Sequence, residues 1–157
     1  MLRSIERSPA GVDPCGAVYD VIHKNGAVPT TDASRCPCGS GETYGGCCGP
    51  LHRGESAAAT AEQLMRSRFS AFAVGDEAYL LRSWHPRTRP RSLDLDPELH
   101  WTFLEVLAST GGSPFHQSGT VEFRAHYRKP GDRGVLHENS EFCRVDGAWV
   151  YVGQLAP

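Results

Sequence analysis

The apolar positions change their period along the chain. Between Thr60 and Pro86 they recur at helical spacing, and beyond Pro97 they alternate, so the sequence predicts helices first and a sheet afterwards. Thr60 followed by Gln63 matches the capping box that opens a helix. Ala61, Leu64, Met65, Phe69 and Phe72 form the apolar stripe of that helix, with Glu62 and Arg66 outside it at the spacing of an i,i+4 pair. Gly75 suits a left-handed stop. Asp76 can cap a second helix, which presents Leu80, Leu81 and Trp84 before Pro86 breaks it.

In the second half, Leu99, Trp101 and Phe103 alternate with polar residues, as a half-buried strand requires. Val121, Phe123, Ala125 and Tyr127 alternate in the same way, and Lys129-Pro130-Gly131-Asp132 supplies the turn of a long hairpin whose return strand spans about 135 to 145. Asp146-Gly147 is a two-residue hairpin signal, and Trp149 to Val152 makes the last strand. Helices followed by an antiparallel meander predict an α+β fold with one face of the sheet over the helices. On the return strand Leu136, Glu138, Ser140 and Phe142 share a face, so Glu138 points inward and needs a partner from Arg66, Arg68, Tyr79 or His85. The favoured reading is a structural pair between Glu138 and an arginine, with His85 capping a helix end. His126 and His137 fall on the outer face. Trp84, Trp101, Phe123, Tyr127, Phe142, Trp149 and Tyr151 all sit at core periodicity.

Residues 1–34 lack either periodicity and mix Gly, Pro, Ser, Thr and Asp with isolated apolar residues, which predicts a mostly disordered segment with at most a short strand at residues 18–22. A length of 157 residues allows one domain with a proper core plus an appendage. The formal net charge of -2, with 16 basic against 18 acidic side chains, leaves no electrostatic footprint for wrapping nucleic acid or coating an anionic membrane. No apolar run approaches the roughly 20 residues of a membrane span, and the N-terminus lacks the apolar stretch of a secretory signal. The expected setting is therefore the cytoplasm, a reducing compartment in which thiols stay available.

That setting decides how the six cysteines are read. Cys36, Cys38, Cys47 and Cys48 form a C-x-C-x8-C-C cluster, whereas Cys15 is an unpaired thiol in the tail and Cys143 a small buried or edge residue. Four thiolates close a tetrahedral site for one structural zinc ion, with no position left open for catalysis. His52 is the alternative ligand in place of Cys47 or Cys48, and a redox-active cluster is the other reading. Gly39 and Gly41 permit the tight turn of the short arm, Gly45 and Gly46 permit close backbone approach to the ion, and Arg35 and Arg53 can offset the thiolate charge.

The knuckle resembles the SEC-C motif found at the C-terminus of the SecA translocase, where a similar short cysteine arrangement binds zinc. Further along, Leu64 to Phe72 (Leu-Met-Arg-Ser-Arg-Phe-Ser-Ala-Phe), Tyr79-Leu80, Trp84-His85-Pro86 and Leu136 to Phe142 (Leu-His-Glu-Asn-Ser-Glu-Phe) resemble the YchJ family of small bacterial proteins. The resemblance implies a cystatin-like, nuclear-transport-factor-2-like cone: a curved antiparallel sheet cupping helices. The expected organisation is a disordered segment over 1–34, a SEC-C zinc knuckle over 35–54 and the α+β domain over 55–157. No catalytic motif is recognisable, and the expected role is a non-enzymatic module that docks a protein or ribosomal partner through Tyr44, Leu51, His52 and Arg53. No membrane partner is expected, nucleic acid only through a ribosome, and self-association into a homodimer is open. The alternative role is a small-molecule enzyme or carrier that uses the cone, with Glu138 or His85 as acid or base.

Overall fold

The computed structural model describes residues 30–156. The disorder expected for residues 1–29, the short strand at 18–22 and the thiol of Cys15 lie outside the described residues. Residues 30–34, expected to be disordered, instead form a turn that packs on the knuckle. Ser34 N donates to Thr31 O (3.0 Å), while Tyr44 N and Gly45 N donate to Ser34 O (2.8 Å) and Asp32 O (3.0 Å).

After this turn comes a short 3-10 segment, Tyr44–Gly46, then helix α1 (Cys48–His52), helix α2 (Ala61–Val74) and helix α3 (Glu77–Arg82). Strands β1 (His100–Gly111), β2 (Ser118–Lys129), β3 (Asp132–Val145) and β4 (Ala148–Gln154) follow as one antiparallel meander in the order β1-β2-β3-β4.

The local signals set the helix boundaries. Thr60 Oγ1 accepts from Gln63 N (3.0 Å), satisfying one orphan donor of the first turn of α2. The reciprocal bond is displaced by one residue, for Gln63 Oε1 accepts from Ala59 N (2.7 Å). Gly75 ends α2 with a φ of 77°, and Asp76 caps α3 by accepting from Tyr79 N (2.9 Å). His85 does not cap that helix: Ser83 occupies the C-cap of α3, and His85 lies beyond it, its Nδ1 accepting from Arg87 N (3.1 Å).

The core lies between α2 and the inner sheet face. Leu64, Met65 and Phe69 of α2 meet Leu104, Val121, Phe123, Ala125, Phe142, Trp149 and Tyr151. A second cluster joins Leu51 of α1 to Ala71, Phe72, Tyr79, Leu80 and Leu93, so the knuckle's own helix contributes to the interior.

One alternation in the sequence misleads. Trp101 is half-buried, yet Phe103 is 52% exposed, because β1 shifts register against β2 between these two residues and Leu104 turns inward instead. A bulge inserts an extra residue and so reverses the faces beyond it, and it bends the strand as well. A second shift lies between Val106 and Ala108, which fits the curvature needed to cup α2.

The bulge makes neighbouring substitutions unequal. Leu104→Ala is expected to cost about 2–5 kcal/mol, whereas Phe103→Ser should stay within about 0.5 kcal/mol of the parent. Urea unfolding of both variants checks the contrast, and equal losses would contradict the register.

Candidate metal centre

The sulfurs of Cys36, Cys38, Cys47 and Cys48 all lie within 4.8 Å of one another and could hold a metal ion. Two arms bring them together. The first carries Cys36 and Cys38 through a turn in which Cys36 N donates to Glu42 O (2.9 Å) and Gly39 N to Cys36 O (3.2 Å). Gly39 and Gly41 have φ values of 78° and 89°, which a side chain would strain. The second arm is the start of α1, where Cys47 and Cys48 are adjacent yet their sulfurs approach to 3.9 Å. Gly45 serves a different purpose from the one its sequence suggested: a Cβ there would stand 2.7 Å from the Asp32 side chain, so it admits the 30–34 turn rather than an ion.

These distances can be tested against a tetrahedral ion. Four sulfurs at about 2.3 Å from one centre are separated by about 3.8 Å along each edge. Cys38 Sγ to Cys47 Sγ is 3.6 Å and Cys47 Sγ to Cys48 Sγ is 3.9 Å, so the donor set fits. Both separations are far beyond a disulfide bond of about 2.05 Å, and all five described cysteines are free thiols.

The electrostatics also require a cation if all four sulfurs are to ionise. The Cys38 thiol is held far below its ordinary range, first by its hydrogen bond with Cys36 and then by that with Cys48. Cys48 is pushed far above it, first by Cys36 and then by Cys38, and burial raises Cys47 to about 11. A bound metal would release the protons that Cys47 and Cys48 hold without it.

A ring of donors surrounds the sulfurs. Ser70 of α2 donates to Cys48 Sγ (3.3 Å) and lies 3.6 Å from Cys36 Sγ, while Ser40 Oγ is 3.3 Å from Cys47 Sγ. Arg66 Nη1 donates to Cys38 O (3.0 Å) and Arg66 pairs with Glu62 (3.2 Å), which puts a cation over the short arm. Arg53, expected to offset the thiolates, is instead engaged by Asp32 (2.9 Å) and Glu55 (3.0 Å) at the surface. Ser70 escaped the sequence reading. Its only signal was a hydroxyl beside Phe69 on a helix that is buried on more than its apolar stripe.

His52 has no nitrogen to spare for a metal. Its Nε2 lies 2.8 Å from the Ser67 carbonyl, which can only accept, so Nε2 carries the proton and Nδ1 accepts from the Tyr44 hydroxyl at 2.6 Å. Burial lowers the imidazole pKa and raises the Tyr44 phenol to about 12, so both groups are neutral and their bonds persist at neutral pH. The hydroxyl of Ser67 is engaged separately, donating to Leu64 O (2.7 Å) and accepting from Tyr79 Oη (2.6 Å). The alternative in which His52 replaces a cysteine therefore does not match the geometry.

The family model described as the middle NTF2-like domain of YchJ matches residues 60–154. The chain belongs to the YchJ family. Among its relatives are UPF0225 proteins: one of Streptomyces coelicolor, 62% identical over 74% of this chain and 90% of that protein, and one of Corynebacterium glutamicum, 55% identical over 74% and 93%. Two solved structures share its fold. The solution structure of a SEC-C motif containing protein from Rhodopseudomonas palustris aligns with a TM-score of 0.69 at 37% identity, covering 78% of this chain and 98% of that one. The crystal structure of a SEC-C motif containing protein from Psychrobacter arcticus aligns with a TM-score of 0.63 at 28% identity, covering 80% and 82%. The α+β, NTF2-like fold of a YchJ-family domain thus stands with a cysteine cluster on its N-terminal side.

The other weighed residues fall in two places. Glu138 is inward and 2% exposed, but it forms no direct ion pair among the described residues; Oε1 accepts from Ser140 Oγ (2.7 Å) and Tyr151 Oη (3.0 Å). Arg66 lies at the knuckle, and Arg68 Nη1 donates to Leu80 O (2.8 Å) and Ser83 Oγ (2.7 Å). The expected pair of Glu138 with an arginine is thereby corrected, since hydroxyls take the near side of the carboxylate. His126 and His137 face outward beside Glu105 (3.1 Å) and Glu122 (2.8 Å).

Two substitutions separate the roles around the cluster. Ser70→Ala should weaken metal affinity about 10- to 100-fold, as loss of an outer-shell partner does. His52→Ala should leave the metal content per chain unchanged while lowering the melting temperature. Competition with a chromogenic chelator and elemental analysis provide the readouts; loss of metal from His52→Ala would contradict the tautomer argument.

Proposed function

We propose that the four cysteines bind one structural zinc ion and that the protein acts as a non-enzymatic binding module for a protein or ribosomal partner. The carrying observation is enclosure: Cys36, Cys38 and Cys48 are buried, and Ser70 of α2 closes the cage from the domain side. An ion held by four sulfurs in such a cage has no coordination position for substrate or water. Four thiolates in a tetrahedral set suit zinc, and zinc of this kind supplies about 10–16 kcal/mol of ordering energy in small peptides. The two structural neighbours are SEC-C motif containing proteins, which agrees with this reading.

The contact surface differs from the one the sequence suggested. Leu51 and His52 are buried at 3% and 6% exposure, and Tyr44 is half-buried on His52, so none of the three is free to meet a partner. The exposed rim includes Ser40, Glu42, Thr43 and Arg53. Docking is assigned to this rim, with the metal fixing its shape. No helix of the described residues is long and apolar enough to cross a membrane. The reading with chemistry in the cone has less support, because Glu138 is enclosed between the hydroxyls of Ser140 and Tyr151.

Cysteine substitutions would disturb α1 and the core together, so rim variants are the sharper test. Glu42→Lys with Arg53→Glu should keep one zinc per chain and the parent melting temperature while abolishing co-sedimentation with purified ribosomes or capture of a protein partner by the intact chain. Unchanged binding by that double variant counts against docking at the rim.

A further inference from the structure

Arg68 and Glu138 are buried within the domain, at 2% exposure each, and among the described residues each leaves one end of its charged group unpartnered. Arg68 Nη1 is spent on Leu80 O and Ser83 Oγ, while its Nη2 has no acceptor. Glu138 Oε1 is spent on Ser140 and Tyr151, while Oε2 has no donor. The indole Nε1 of Trp84, also buried, is the third such atom among the described residues.

These groups belong to one cluster. The Arg68 guanidinium carbon lies 5.0 Å from the Trp84 ring and 4.6 Å from the Tyr151 ring, those two rings are 5.0 Å apart, and the Tyr151 hydroxyl rests on Glu138. Burial pushes the guanidinium pKa down to about 10, offset by the attraction of Tyr151, Tyr79 and Glu138, so Arg68 remains charged at neutral pH.

The unmet chemistry specifies its partner. Arg68 and Trp84 need an acceptor; Glu138 Oε2 needs a donor. An anion would satisfy the first two and be repelled by the carboxylate, and a cation would do the reverse. A neutral hydroxyl does both, for its oxygen can accept two bonds while its hydrogen is given to a third group. We propose that Arg68 Nη2, Trp84 Nε1 and Glu138 Oε2 form an internal hydroxyl-binding site occupied by a water molecule, which completes the Arg68–Glu138 pair. Three bonds to otherwise unsatisfied groups is the usual complement of a buried water.

The site gives the pair a purpose that neither charge serves alone. It ties α2, through Arg68, to β3 through Glu138 and to the start of the 84–99 loop through Trp84. The same helix carries Ser70 and Arg66 to the cysteine cluster, so the water-bridged pair fixes the wall of that cluster from the opposite side.

A crystal structure of the full chain at a resolution that shows ordered water is the direct test, backed in solution by nuclear Overhauser transfer from water to the Trp84 indole proton. One water within about 3.2 Å of all three atoms, together with a long-lived water signal on the Trp84 indole, is the expected result. Glu138→Leu should abolish that signal. Direct contact between Arg68 and Glu138, or density for an ion or an organic hydroxyl at the same atoms, overturns the proposal. Should Glu138→Leu not fold, the parent structure alone decides.

Discussion

Helix α2 is buried on opposite sides, and the rest of the structure takes its place from that constraint. Ten of its fourteen residues are buried, and its less buried polar residues, Glu62, Gln63 and Arg66, are confined to the first two turns. Leu64, Met65 and Phe69 fill the inner face of the sheet, while Ser67 offers its carbonyl to His52 and its hydroxyl to Tyr79, and Ser70 sets its hydroxyl on the sulfurs. A helix burying serines can do so only where each hydroxyl finds a partner. Leu64 O and Tyr79 take the hydroxyl of Ser67, while the knuckle takes the hydroxyl of Ser70 and, through His52, the carbonyl of Ser67, which makes it part of the domain's interior rather than an appendage.

The same requirement explains the charged interior. Arg68 faces aromatic rings and carbonyls rather than solvent, and the Glu138 carboxylate is met by hydroxyls before it is met by a charge. Isolated buried charges are costly, and distributing each over several dipoles and rings lowers that cost without direct contact between them. Polar groups therefore hold α2 on both sides: thiols and serines toward the knuckle, a guanidinium and a carboxylate toward the sheet.

Much of this was legible from residue types at fixed spacing. The Thr60 and Asp76 caps, the Gly75 stop, the Asp146-Gly147 turn and the inward face of β3 all depend on local chemistry, and each appears as the sequence predicts. Phe103 misled because a bulge has no signature in alternation alone. The cysteine spacing located the cluster, yet it could not show that Leu51 and His52 turn inward, since a short helix of five residues carries too little pattern to reveal which side it packs. Ser70 and the division of arginines, Arg66 to the knuckle and Arg68 to the cone, depend on contacts 12 to 28 residues apart, such as Arg68 with Leu80, Ser70 with Cys48 and Arg66 with Cys38. Sequence spacing cannot supply those.

If the thiol cage and α2 form one cooperative body, removing the metal must loosen the helix as well as the knuckle. Hydrogen exchange on the intact chain, metal-loaded and after chelation, addresses this most directly. The expected result is loss of protection in the amides around Ser67 to Ala71 together with those of α1, because the wall loses its sulfur partners when the cage opens. Loss confined to residues 35–54, with α2 as protected as before, would contradict it.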